Sequence, residues 1–138
     1  MGADLVILAI VGSTAFAERG TPERAEATRL INDAIDRYQP DEIVSGGAVG
    51  IDSMAAMAAH ARGIPTREFL PKNKRWKPDG YQARNLLIAE ACTSLVSIRH
   101  HASTTYGSGW TADRAEEIGK SVERYMIRAV DDSTDISA

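Results

Sequence analysis

Cysteine is almost absent from this 138-residue sequence: Cys92 stands alone, inside an apolar run. One thiol forms no internal disulfide, so the chain fits a reducing cytoplasm. With no histidine near it in sequence, Cys92 reads as a small buried hydrophobe and not as a nucleophile. No cysteine cluster and no helical i, i+4 histidine pair occurs, so neither a metal nor a cofactor is expected. The apolar run Leu5 to Val11 is too short to cross a bilayer and ends at Gly12, and Met1-Gly2-Ala3-Asp4 carries no basic leader. Neither export nor a membrane partner is expected. Positive charge is also in short supply, with 16 Lys and Arg against 19 Asp and Glu and a net charge of -3. A broad nucleic-acid interface needs a basic face, which this balance argues against.

What is present is ordinary for a water-soluble globule: 43% hydrophobic and 25% charged residues. The length is that of one domain, and a chain of this size buries roughly two-thirds of its unfolded surface. No linker divides it. Residues 1–130 read as one domain, and residues 131–138, acidic and polar, as a frayed, disordered tail.

Apolar periodicity alternates between strand-like and helix-like. Residues 5–11 form a continuous apolar run, as a parallel strand covered on both faces would. Thr21-Pro22-Glu23 is a helix start, with Thr as cap, Pro at the first helical position and an acid in the first turn. Ala27, Leu30, Ile31, Ala34, Ile35 and Tyr38 follow at helical spacing, and Pro40 ends the run. A short strand is expected over 42–45 and a helix with Ile51, Met54, Ala55 and Ala58 on its apolar face. A weaker strand covers 66–70, a helix 81–91 and a strand 93–98. After a Ser-, Thr- and Gly-rich loop over 100–109 come a helix over 111–118 and a last strand over 122–130. The pattern predicts an α/β fold, a Rossmann-like three-layer sandwich with a mostly parallel sheet of about five strands.

In such sheets ligands bind at the carboxyl ends of the strands. Three of those ends carry glycine turns leading towards a helix: Gly12-Ser13-Thr14, Gly46-Gly47-Ala48-Val49-Gly50 and Gly107-Ser108-Gly109. Glycine lets a ligand approach the backbone, and amides at the following helix N-terminus face an anion. Ser13, Thr14, Ser108 and Thr111 add hydroxyls. Any one turn is as readily a tight corner, and Gly46-Gly47-x-x-Gly50 is neither a dinucleotide fingerprint nor a P-loop; recurrence at three strand ends is what favours a ligand. Asp52 either caps the next helix or accepts from a ribose or amine. Arg84-Asn85, on an apolar helix, is a solvated helix start or a grip on phosphate. Lys72, Lys74, Arg75 and Lys77 flank Trp76, as a solvated loop or a single-strand-binding patch. His100 and His101 are exposed loop residues or acid–base groups.

Gly12-Ser13, then Ser45-Gly46-Gly47-Ala48-Val49-Gly50-Ile51-Asp52, then Trp76-x-x-x-Gly80-x-x-Ala83-Arg84-Asn85, then a Gly/Ser/Thr turn before a helix, together resemble the SLOG superfamily. That group joins the DNA-processing protein A domain with the LOG phosphoribohydrolases, and the small single-domain YspA-like branch is the nearest match. The resemblance covers about residues 5–119. It implies a nucleotide-binding Rossmann-like fold whose ligand faces Gly12, Ser13, Gly46, Gly47, Gly50, Asp52, Arg84 and Asn85, and it implies a homo-oligomer. In the LOG enzymes an arginine and a glutamate near a Pro-Gly-Gly-x-Gly-Thr-x-x-Glu turn cleave a nucleotide's N-glycosidic bond. Arg84 matches the arginine's region. The glutamate's turn here reads Gly107-Ser108-Gly109-Trp110-Thr111-Ala112-Asp113-Arg114, which leaves Asp113 and Glu116 as the acids to replace it.

Three functions follow. The first is a sensor or processing protein that binds a nucleotide or nucleotide-derived phosphate through the three turns, with Ala48, Asp52, Trp76, Arg84, Asn85 and Thr111. The second is a phosphoribohydrolase acting on nucleoside monophosphates with Arg84, Asp113 and Glu116. The third is single-stranded DNA binding, placed last by the acidic charge balance.

Overall fold

The computed structural model describes residues 4–104 and 107–128. Five strands form one sheet, all parallel: β1 (Ile7–Gly12), β2 (Glu42–Ser45), β3 (Thr66–Glu68), β4 (Ser94–His100) and β5 (Ser121–Ile127). Their order across the sheet is β3-β2-β1-β4-β5. Between them run four helices, α1 (Pro22–Tyr38), α2 (Ile51–Ala61), α3 (Tyr81–Ala91) and α4 (Gly107–Glu117), with a short 3-10 turn at Thr14–Ala17. The expected acidic tail, 131–138, and the last residues of the expected final strand, 129–130, lie outside the described residues.

Strand alternation builds the three layers. Leu8 and Ile10 of β1, with Ile43, Val96 and Ile98, pack under Leu30, Ile31 and Ile35 of α1 and Met54 and Ala55 of α2. The neighbours on β1, Ala9 and Val11, face the other way with Val44 and Leu95, against Ile88 and Ala89 of α3 and Ala112 and Ala115 of α4. Cys92 is buried in that second layer.

The α1 signals act as read. Thr21 Oγ1 accepts from the Arg24 amide at 3.1 Å, Pro22 opens the helix, and Gln39 ends it in a left-handed conformation before Pro40.

Two of the boundaries that differ from the expectation lie near the third glycine turn. Strand β4 continues to His100 because its register with β5 runs on to the His100–Ile127 pair. The His100 amide then donates to Ser13 Oγ at 2.9 Å. Helix α4 starts at Gly107 and not at Thr111, so Gly107, Ser108 and Gly109 are its first turn. First-turn amides have no acceptor inside the helix, so glycine is better tolerated there than in a helix interior. Thr111 Oγ1 closes this turn by donating to the Gly107 carbonyl at 2.8 Å. The third strand is shorter than expected, three exposed residues at the sheet's edge.

Candidate ligand-binding site

Parallel strands deliver every loop of one kind to the same rim of the sheet. Here the strand order reverses direction between β1 and β4. Chain leaving the two strands departs to opposite sides, and a crevice opens between them. A cavity of about 560 Å³ lies there. The exit of β1 contributes Gly12, Ser13 and Thr14, and the exit of β2 contributes Gly46 and Ala48, with Asp52 from α2. One face of α3 supplies Tyr81, Arg84, Asn85 and Ile88, spaced i, i+3, i+4, i+7. The first turn of α4 supplies Gly107, Ser108, Trp110 and Thr111, and the loop over 71–80 supplies Trp76. Trp76 and Trp110 meet edge to face, with ring centres 5.3 Å apart.

Arg84 ties these walls together and is not a solvated helix start. Its Nη1 donates to the carbonyls of Gly46 at 2.7 Å and Phe69 at 3.3 Å, and its Nε donates to Asn85 Oδ1 at 2.7 Å. Asn85 Nδ2 in turn reaches the Gly107 carbonyl at 3.4 Å, which carries the chain of contacts from β2 to α4. The guanidinium fits because residue 46 has no side chain: a Cβ there would stand 2.3 Å from Nη1. Nη2 donates to no described residue, and Arg84 lines the cavity. Burial pulls Arg84 below the ordinary arginine value, opposed by the charge of Asp52.

The glycine turns do not act alike. Ser13 spends its amide on the Ile98 carbonyl at 3.1 Å. Its Oγ accepts from His100, which leaves the hydroxyl hydrogen to donate elsewhere. In the second turn Asp52 does not cap α2. It folds back, and its Oδ2 accepts from the amides of Gly46 and Ala48, each at 3.2 Å. This is the concave amide geometry that holds anions, and the protein fills it with its own carboxylate. The expectation that those two amides face a ligand phosphate is therefore corrected. The amides of α4's first turn and Arg84 Nη2 remain as donors towards an anion.

Burial pushes the Asp52 carboxyl up to about 6, against the pull of the two amides and Arg84. Between pH about 4 and 6 the folded protein thus keeps a proton that the unfolded chain has released, and this group's contribution to stability falls as pH rises through that window. In Asp52→Asn the amide oxygen still accepts from Gly46 and Ala48, while the ionisation is gone. Stability curves of the two proteins are expected to diverge by up to about 3 kcal/mol between pH 4 and 7, in favour of the variant, at about 1.4 kcal/mol per unit. Urea denaturation at several pH values checks this.

Three of the expected ligand residues are outside the cavity wall. Gly47 and Gly50 hold positive φ angles, and a Cβ would meet Leu70 and Glu68 at the first and the Ser13 carbonyl at the second. Gly109 is buried in α4. Nor do Asp113 and Glu116 line the cavity: both bind Arg124 of β5, at 2.8 and 2.6 Å. His100 and His101 stack on each other, and His100 Nδ1 accepts from the Ala102 amide. Val11, Tyr81, Ile88 and Trp110 line the cavity without having been singled out. The helical spacing of Tyr81 and Ile88 with Arg84 was the available signal.

Solved structures share this architecture. DNA processing protein A from Streptococcus pneumoniae is 25% identical, with a TM-score of 0.62, over 87% of this chain and 50% of that one. The chain thus spans about half the length of that protein. A structural-genomics target, TM1055, is 16% identical with a TM-score of 0.65, over 86% of this chain and 72% of that one. The molybdenum cofactor carrier protein from Chlamydomonas reinhardtii is 16% identical with a TM-score of 0.62, over 97% of this chain and 94% of that one. No protein-family model and no curated protein sequence matches the chain. Among the described residues, no helix is long and apolar enough to cross a membrane, and no group of acids, histidines and cysteines is arranged to hold a metal ion.

Proposed function

We propose that this chain, which has the SLOG-type Rossmann-like fold, binds a nucleotide or nucleotide-derived phosphate ligand in the crevice between β1 and β4, as a sensor or processing protein. The observation that carries this reading is the cavity at the point where strand order reverses, with Arg84 and the first turn of α4 on its wall. About 560 Å³ is within the usual range for a small-molecule site, roughly 300–1,000 Å³. Trp76, Trp110 and Tyr81 offer aromatic surface for a base, while the donors serve a phosphate. One structural neighbour is named for carrying a small molecule, the molybdenum cofactor.

Hydrolysis of an N-glycosidic bond is less well supported. Asp113 and Glu116 are engaged by Arg124, and Asp52 is the carboxylate among the cavity's lining residues. Single-stranded DNA binding draws support from the likeness to DNA processing protein A. The exposed Lys74, Arg75 and Lys77 beside Trp76 point the same way.

Native mass spectrometry of freshly purified protein is expected to find a co-purified nucleotide, and it reads the proposed homo-oligomer in the same spectrum. A panel of nucleoside monophosphates should raise the melting temperature without releasing free base. Free base in the chromatogram would establish the hydrolase instead. Stabilisation by a single-stranded oligonucleotide alone, lost in the Lys74→Ala/Lys77→Ala double variant, would establish DNA binding.

A further inference from the structure

We infer that Asp52 determines specificity in this pocket: its Oδ1 accepts a hydrogen bond from a hydroxyl or amino group of the ligand, and its carboxylate bars phosphate from the turn over 46–50. The inference deepens the nucleotide reading and rests on it.

The two oxygens of Asp52 have different surroundings. Oδ2 takes both amide hydrogens that converge in the turn, at 3.2 Å each. Oδ1 accepts from no described residue, although the side chain is 7% exposed and lines the cavity. Oδ1 is open to the cavity and not sealed inside the protein, so a guest that displaces water there has to supply its donor. Arg84 does not supply it: Nη1 is committed to two carbonyls, Nε to Asn85, and no ion pair within 4.0 Å joins Arg84 to Asp52. The charge of Glu68 further disfavours a negative group here, consistent with the raised Asp52 carboxyl.

A phosphate placed on the turn would compete with a carboxylate for the same two amides, anion against anion. The pocket is therefore polarised. One wall, at the exit of β2, presents an acceptor and matches a ribose hydroxyl or a base amino group. The other wall, the first turn of α4, presents donors and takes the anionic end.

Amide NMR titrations of wild type and Asp52→Asn test this, with inorganic phosphate, AMP, its 2′-deoxy and 3′-deoxy forms, and IMP as probes. Phosphate is expected to shift the amides of Gly107 and Ser108 in the wild type and to leave those of Gly46 and Ala48 in place. The wild type should bind AMP about tenfold more tightly than the analogue lacking the matching donor. Loss with a deoxy form identifies a sugar hydroxyl, and loss with IMP identifies the amino group. Asp52→Asn should stay folded and lose the preference. Phosphate shifts at Gly46 and Ala48 in the wild type, equal affinity for all four nucleotides, or an unchanged preference in the variant would overturn the inference. If no nucleotide binds the wild type, the nucleotide reading fails, and the exclusion of phosphate still stands or falls on the Gly46 and Ala48 amides.

Discussion

Replacing Arg84 with alanine is expected to weaken ligand binding by about ten- to a hundredfold and to cost about 2 kcal/mol of stability. The two losses have different origins. Binding suffers because the guanidinium of Arg84, which lines the cavity and whose Nη2 donates to no described residue, is a charged donor for the guest. Stability suffers because the carbonyls of Gly46 and Phe69 lose their shared donor and Asn85 loses the contact that orients it towards Gly107. Asp52 also loses its nearest favourable charge, so its carboxyl rises above the value near 6. Arg84→Lys separates the effects. Lysine keeps the charge, but one nitrogen cannot hold three acceptors and still face the ligand, so partial recovery of stability with poor recovery of affinity is expected. Calorimetry with the best nucleotide of the panel, beside urea denaturation, reads both. Undiminished affinity in Arg84→Ala would remove the guanidinium from the ligand's environment.

Gly12→Ala is expected to destabilise the sheet strongly, by about 3 kcal/mol or more, or a melting temperature lower by roughly 10 °C. A Cβ at this position would stand 2.2 Å from the Ile98 carbonyl oxygen and 2.4 Å from Ile51 Cγ1. The first obstacle is backbone of the adjoining strand. The second is a side chain with no exposed surface. Neither can move without prising β1 from β4 or lifting α2, which would also disturb the crevice. Gly107→Ala is the matched control, since its nearest neighbour is Asn85 Nδ2 at an ordinary 3.7 Å. A Gly12→Ala protein as stable as Gly107→Ala would show that the sheet yields more easily than this geometry allows.

These two positions show what the sequence could reveal. Gly12, Arg84 and Asn85 were legible because glycine after an apolar strand, and arginine on an apolar helix, are residue types that ordinary packing does not ask for. Strands and helices were legible because their periods differ, and a fully apolar β1 marks a strand covered on both sides. The start of α4 was not legible. Gly-Ser-Gly has the composition of a turn, and what makes it helical is tertiary: α4 packs against α3, and Asn85 reaches the Gly107 carbonyl.

The fate of Asp52 was equally hidden. A carboxylate two residues into a helix serves the amides ahead of it or behind it with the same local sequence. The fold decided between them by curling the turn around Oδ2. Asp113 and Glu116 looked available because Arg124, which occupies both, lies only 11 and 8 residues on but in a different element, and arrives only when β5 pairs with β4.

The chain has two tryptophans, and both line the crevice, edge against face. All indole emission from this protein therefore originates within reach of a guest. A base sliding beside either ring would quench or shift that emission, so the molecule carries its own optical gauge of occupancy, readable without a label.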